Sequence, residues 1–69
     1  MYFDKGEIIH LENKKNYKVL NYEFLDNVCY YLLINLDNDK YGVVTCKEVN
    51  SQLYLKKVDD EDILKKLKF

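Results

Sequence analysis

The sequence predicts a mainly β domain, with five short antiparallel strands in a small barrel or meander and a short C-terminal α-helix after them. Three observations lead there. The nine residues from Val28 to Leu36 carry no charge and one strongly polar side chain, too apolar a stretch for a strand with one wet face. Strand-length apolar runs on either side of it are separated by Asp, Asn and Ser clusters of the kind that turn a chain. From Asp59 onward the character changes, with acids first and then apolar residues spaced i, i+1, i+4 among lysines.

Taken in order, residues 7–11 form a short β-branched run that predicts the first strand, and the polar residues 12–16 a loop. The second strand spans 17–25, but its apolar parity changes: Tyr17 and Val19 share one face, Leu20, Tyr22 and Phe24 the other. A bulge or bend near Leu20 and Asn21 accommodates this, since one extra residue moves all later side chains across the sheet. Asp26 and Asn27, both tolerant of positive φ, make a two-residue hairpin into a central strand over 28–36. That hairpin sets Leu25 against Val28, Phe24 against Cys29, Tyr22 against Tyr31 and Leu20 against Leu33. A turn at Asp37–Lys40 leads into a fourth strand over 41–49, with Leu36 opposite Tyr41, Leu33 opposite Val44 and Tyr31 opposite Cys46. Asn50, Ser51 and Gln52 turn the chain into a Lys-bearing edge strand over 53–58. The helix runs over 60–68, capped by Asp59 or Asp60, with acids at its positive end, lysines at its negative end, and Ile63, Leu64 and Leu67 against the sheet.

A chain of 69 residues makes one domain, 1–69, with a small core, so oligomerisation is a live means of adding buried area. Eleven lysines against 12 Asp plus Glu leave a net charge of -1, which fits neither a DNA mimic nor a basic nucleic-acid arm. No signal-peptide pattern opens the chain, and no apolar run approaches the ~18–20 residues of a membrane span, so a cytoplasmic protein is expected. Ala, Arg, Pro and Trp are absent while Lys, Asn, Tyr, Ile and Leu abound, which suggests an AT-rich coding sequence such as those of low-GC bacteria or phages.

The five-strand meander with a bent second strand suggests an SH3-like or Sm-like barrel. Within it, Lys5-Gly6-Glu7-Ile8-Ile9-x-Leu11, Tyr17-x-Val19 and Tyr30-Tyr31-Leu32-Leu33 resemble the start of small uncharacterised SH3-like β-barrel proteins of low-GC Gram-positive bacteria and their phages. The resemblance covers the first half of the chain. It implies a compact β-fold that binds another macromolecule, and it supplies no catalytic residues.

The sharpest motif match is Asp37 to Glu48, which fits a calcium-binding EF-hand loop at positions 1, 3, 6 and 12. Tyr41 stands where position 5 should supply an oxygen, and the flanks favour strand over helix, so a hairpin turn is the expected reading and no metal is assigned. His10 is the lone histidine and reads as a polar strand position. Cys29 and Cys46 fall diagonally on one face in the register above and read as free thiols in a small core, with no zinc or redox role. No nucleophile adjoins a base and no Gly-rich loop could cradle phosphate, so neither an enzyme nor a cofactor is expected.

Seven tyrosines carry the functional signal, because a tyrosine offers a large contact area at low entropic cost. A protein-interaction module follows, an adaptor or inhibitor of a host protein encoded by a phage or mobile element, with Tyr22, Phe24, Tyr31, Cys46 and Tyr54 as the candidate surface for a partner or a second copy. The row of Tyr22 and Tyr31 is too apolar to be left wet, which motivates a twofold dimer. The alternative is single-stranded nucleic acid stacked on tyrosines beside Lys14, Lys15, Lys18, Lys47, Lys56 and Lys57. The absence of arginine weighs against it.

Overall fold

Turn chemistry cuts the chain where the sequence places it. In the computed structural model, which describes residues 2–69, the elements are β1 (Ile8–His10), β2 (Asn16–Leu25), β3 (Val28–Asn35), β4 (Tyr41–Val49), β5 (Gln52–Lys57) and α1 (Glu61–Lys66). Asp26 and Asn27 take φ of 51° and 66°, and Asn50 and Ser51 take 52° and 66°. Paired positive φ values give a two-residue hairpin the hand that matches strand twist. Both turns are therefore tight, and β2–β3 and β4–β5 leave them in register, with Leu25 opposite Val28 and Val49 opposite Gln52.

The phase change in β2 is a bulge. Val19 pairs with Leu33 and Asn21 with Leu32, leaving Leu20 as the extra residue. Leu20 therefore does not oppose Leu33; Val19 does, and the bulge lets Tyr17, Val19, Tyr22 and Phe24 share one face. The Tyr22 N–H points to the side where β1 has already ended, and the Asn21 side-chain oxygen accepts it at 2.9 Å.

The β3–β4 turn is longer than the sequence reading allowed. Asn35 N–H donates to Lys40 O at 2.8 Å and Asp39 N–H to Asn35 O at 2.8 Å, so Leu36 belongs to the turn and β3 stops at Asn35. Each residue of β3 consequently pairs two positions earlier on β4 than expected: Ile34 with Tyr41, Leu33 with Gly42, Tyr31 with Val44. A shift of two keeps every side chain on its face, which is why the facial assignment survives and the partners do not.

The five strands follow one another in order β1-β2-β3-β4-β5, all antiparallel. The sheet curls into a half-barrel with β1 and β5 at its two edges, not a closed barrel. Its core lies on the concave side: Ile9, Val19, Tyr31 and Leu33 are buried, with Phe3, Leu11, Tyr17, Tyr22, Cys29, Val44, Cys46 and Leu55 packed around them.

The opposite row of β3, with Val28, Tyr30, Leu32 and Ile34, faces the convex side, and there Tyr30 is the buried residue. Its cover is the C-terminal segment. Asp60 caps α1 by accepting the Asp62 N–H at 2.9 Å, and Lys68 N–H donates to Glu23 Oε1 at 2.7 Å, on the residue that pairs with Tyr30. Ile63 shares a cavity wall with Val28, Tyr30 and Thr45. The helix is shorter than the expected 60–68, and Leu64 faces solvent while Ile63 and Leu67 are half-buried. Ile63→Asp should therefore lower stability by about 1–2 kcal/mol, read as a fall in melting temperature at ~4–8 °C per kcal/mol. An unchanged melting temperature would place α1 off the sheet.

Among the described residues no helix is long and apolar enough to cross a membrane.

Candidate interaction site

An unclosed sheet leaves backbone groups without partners, and β5 leaves the longer row. Val58 N–H donates to Val43 O at 2.8 Å, which fixes the hydrogen-bonding parity: Gln52, Tyr54 and Lys56 turn their backbone groups to β4, while those of Leu53, Leu55 and Lys57 point away from it. The opposite edge, β1, is three residues long. Between the edges lie two cavities. One, of about 510 Å³, is lined by His10, Leu11, Glu12 and Asn13 on one side and Gln52 to Leu55 on the other. The second, of about 310 Å³, opens onto the core residues Leu33 and Val44 and is bordered by Lys40 and Lys57. The seam thus has an apolar floor of leucines, a free strand edge and two lysines.

The five residues proposed from sequence as one surface divide into two places. Tyr31 is 0% exposed and makes edge-to-face contact with Phe3, ring centroids 5.5 Å apart. Tyr22 leans on it at 6.3 Å and receives Lys5 Nζ 5.9 Å from its ring centroid. Phe24 is 58% exposed and shares a cavity with Tyr31 and Cys46. The row that seemed too apolar for water is therefore the core itself, and Tyr31 is not available to a partner. The motive for a dimer through Tyr22 and Tyr31 goes with it. Tyr54 lies at the seam, 51% exposed, its hydroxyl donating to Gln52 Oε1 at 2.6 Å.

Two acids in the core are held protonated. Burial, helped by a hydrogen bond with Cys29, pushes the Tyr31 hydroxyl from 10.0 up to about 12. Burial, then the neighbouring Cys29, raises the Cys46 thiol from 9.0 to about 11. Neither is an activated nucleophile at neutral pH.

The calcium-like stretch splits between two elements. Asp37 to Lys40 form a turn pinned by side chains, with Asn35 Oδ1 accepting the Asp37 N–H and Asn38 Oδ1 the Lys40 N–H. Glu48 sits far along β4, on the order of 20 Å from that turn at ~3.3 Å per residue, so it does not reach back to Asp37.

Sequence reasoning overlooked Phe3, Leu11 and Leu53. Phe3 and Leu11 lie at the margins of elements, where periodicity gives no signal, and Leu53 matters through its backbone. Comparison with protein-family models, with curated proteins and with solved structures finds no match.

Proposed function

We propose that the chain is a non-enzymatic protein-interaction module of SH3-like or Sm-like architecture, a small cytoplasmic adaptor or inhibitor, which takes an extended segment of a protein partner along the free edge of β5. The observation that carries this reading is the unpaired outward row of Leu53, Leu55 and Lys57 beside a leucine-lined seam. Strand addition to such an edge gains main-chain hydrogen bonds, and alternate side chains of the incoming strand would drop into the seam. Lys40 and Lys57 at the border favour a segment with acidic residues beside its apolar ones. The exposed tyrosines of the sheet stand apart, which favours the protein reading: Tyr30 and Tyr31 are buried, and Tyr54 pairs with Lys47, about 20 Å along β4 from Tyr41 at ~3.3 Å per residue.

Leu53→Pro is the informative variant. It removes one outward N–H, leaves the β4–β5 ladder intact, and places proline where edge strands tolerate it. Peptides selected from a random library on the wild-type protein should protect the Leu53, Leu55 and Lys57 amides from hydrogen exchange and bind Leu53→Pro at least tenfold more weakly. Binding that ignores Leu53→Pro would remove β5 as the site. Submicromolar, steeply salt-dependent binding of single-stranded RNA would replace the reading with the nucleic-acid one.

A further inference from the structure

The two-position shift between β3 and β4 changes where the cysteines stand, since the register expected from sequence left them diagonal. Tyr30 pairs with Thr45, and the next step of that unshifted antiparallel register sets Cys29 across from Cys46. Phe24 flanks Cys29 on β2 and Leu55 flanks Cys46 on β5, so the two thiols are neighbours in an otherwise apolar row. Both are free and half-buried, and both line one cavity of about 300 Å³. Tyr2 and Phe24, 48% and 58% exposed, wall the same cavity, so a small solute reaches it from solvent.

The backbone spacing of this rung is that of a disulfide. Asn35 N–H bonds Lys40 O, and hydrogen-bonded rungs alternate from that pair through Leu33/Gly42 and Tyr31/Val44 to Cys29/Cys46. Cα atoms across such a rung stand ~5.5 Å apart, within the commonest range for a disulfide, ~5.5–6 Å. Opposed Cβ atoms lie at ~4.5–5.5 Å in a sheet and at ~3.5–4.5 Å across a disulfide, so closure draws them together by about 1 Å. This rung has room to give. It lies past the last bridged pair, Tyr30/Thr45, at the end of the ladder away from the Leu36–Lys40 turn, where no further β3–β4 pair has to follow.

We propose that Cys29 and Cys46 are a redox pair that closes a reversible disulfide between β3 and β4, with a peroxide as the oxidant. One thiolate attacks an oxygen of hydrogen peroxide: an S–O bond forms, the O–O bond breaks, and hydroxide leaves as water with the proton that the thiol gave up. The opposite sulfur, as its thiolate, then attacks the sulfenic sulfur; the S–S bond forms, the S–O bond breaks and a second water leaves. Two thiols lose two electrons, and the peroxide gains them. A low-molecular-weight thiol reverses the change by exchange. Because the bond encloses the β3–β4 turn, it removes freedom from the unfolded chain and stabilises the folded one.

The test is treatment of the folded, reduced full chain with a small excess of hydrogen peroxide, read by intact mass, iodoacetamide labelling after denaturation, and peptide mapping without reductant. The expected product is a single 8.3 kDa chain lighter by two hydrogens, with labels falling from two to none and one cross-linked peptide pair joining Cys29 to Cys46. Its melting temperature should rise by about 10 °C, and dithiothreitol should restore both labels and the original melt. In Cys46→Ser the same treatment should give no rise; should that variant not fold, the wild-type mapping and melt decide alone. Oxygen retained on sulfur in the wild type, a disulfide joining two chains, or a cross-linked chain that melts no higher than the reduced one would overturn the pair.

Discussion

Tyr31→Ala should remove most of the stability of this domain. The side chain is fully enclosed, meets Phe3 and Tyr22 ring to ring, and accepts the Tyr2 N–H, so its loss opens a cavity at the centre of the concave face. Deleting a buried aromatic ring costs ~3–5 kcal/mol. At ~0.05–0.15 kcal/mol per residue, a chain of this length has a total on the order of 3–10 kcal/mol to lose. The described residues that are buried number five, Ile9, Val19, Tyr30, Tyr31 and Leu33, so few neighbours remain to take up the strain. Urea denaturation followed by far-UV circular dichroism should find Tyr31→Ala largely unfolded before urea is added. Tyr31→Phe, which keeps the ring and loses only the hydroxyl contacts, should cost about 1 kcal/mol. A Tyr31→Ala protein with the wild-type midpoint would mean that the ring lies outside the core.

Strand existence, turn positions and the β2 bulge were legible because each leaves a local mark. Asp-Asn between two apolar runs has one cheap conformation, and a parity change within a single run has one economical cause. The β3–β4 register was not legible. The turn from Leu36 to Lys40 has four polar residues that could close as a short or a longer loop, and moving the closing pair from Leu36/Tyr41 to Asn35/Lys40 leaves the apolar pattern unchanged. That undetected shift is why Tyr31 faces Val44 and not Cys46.

The choice of core face was equally invisible. Both rows of β3 are apolar, and periodicity alone ranks neither; curvature ranks them, because the concave row receives side chains from all five strands and the convex row has one six-residue helix. The candidate interaction edge lies beyond sequence reasoning for another reason. It consists of backbone groups left over when the barrel fails to close, and no side-chain pattern encodes that β1 is too short and too far round the curl to pair with β5.

Alkaline pH should dismantle the protein through two groups in one cavity. Cys46 moves from 9.0 to about 11 and Tyr31 from 10.0 to about 12, in both cases chiefly because burial disfavours the anion. These are acids whose folded pKa is raised, so the unfolded chain gives up each proton first. Where the unfolded state binds fewer protons, stability falls as pH rises. The Cys46 contribution is therefore whole below pH 9.0 and lost on the way to about 11, and that of Tyr31 is whole below 10.0 and lost on the way to about 12. For the enclosed Tyr31 the loss is on the order of 2–3 kcal/mol; half-buried Cys46 adds less, since solvent reaches its thiolate. Urea midpoints should be flat up to pH 9 and fall steeply from there to pH 12. Tyr31→Phe has no proton to lose at that position, so its upper segment should be shallower than that of the wild type although its midpoint at neutral pH is lower. Parallel curves for the two proteins over pH 10 to 12 would show that Tyr31 ionises as readily in the folded chain as in the unfolded one, and would take the enclosed hydroxyl out of the account of this core.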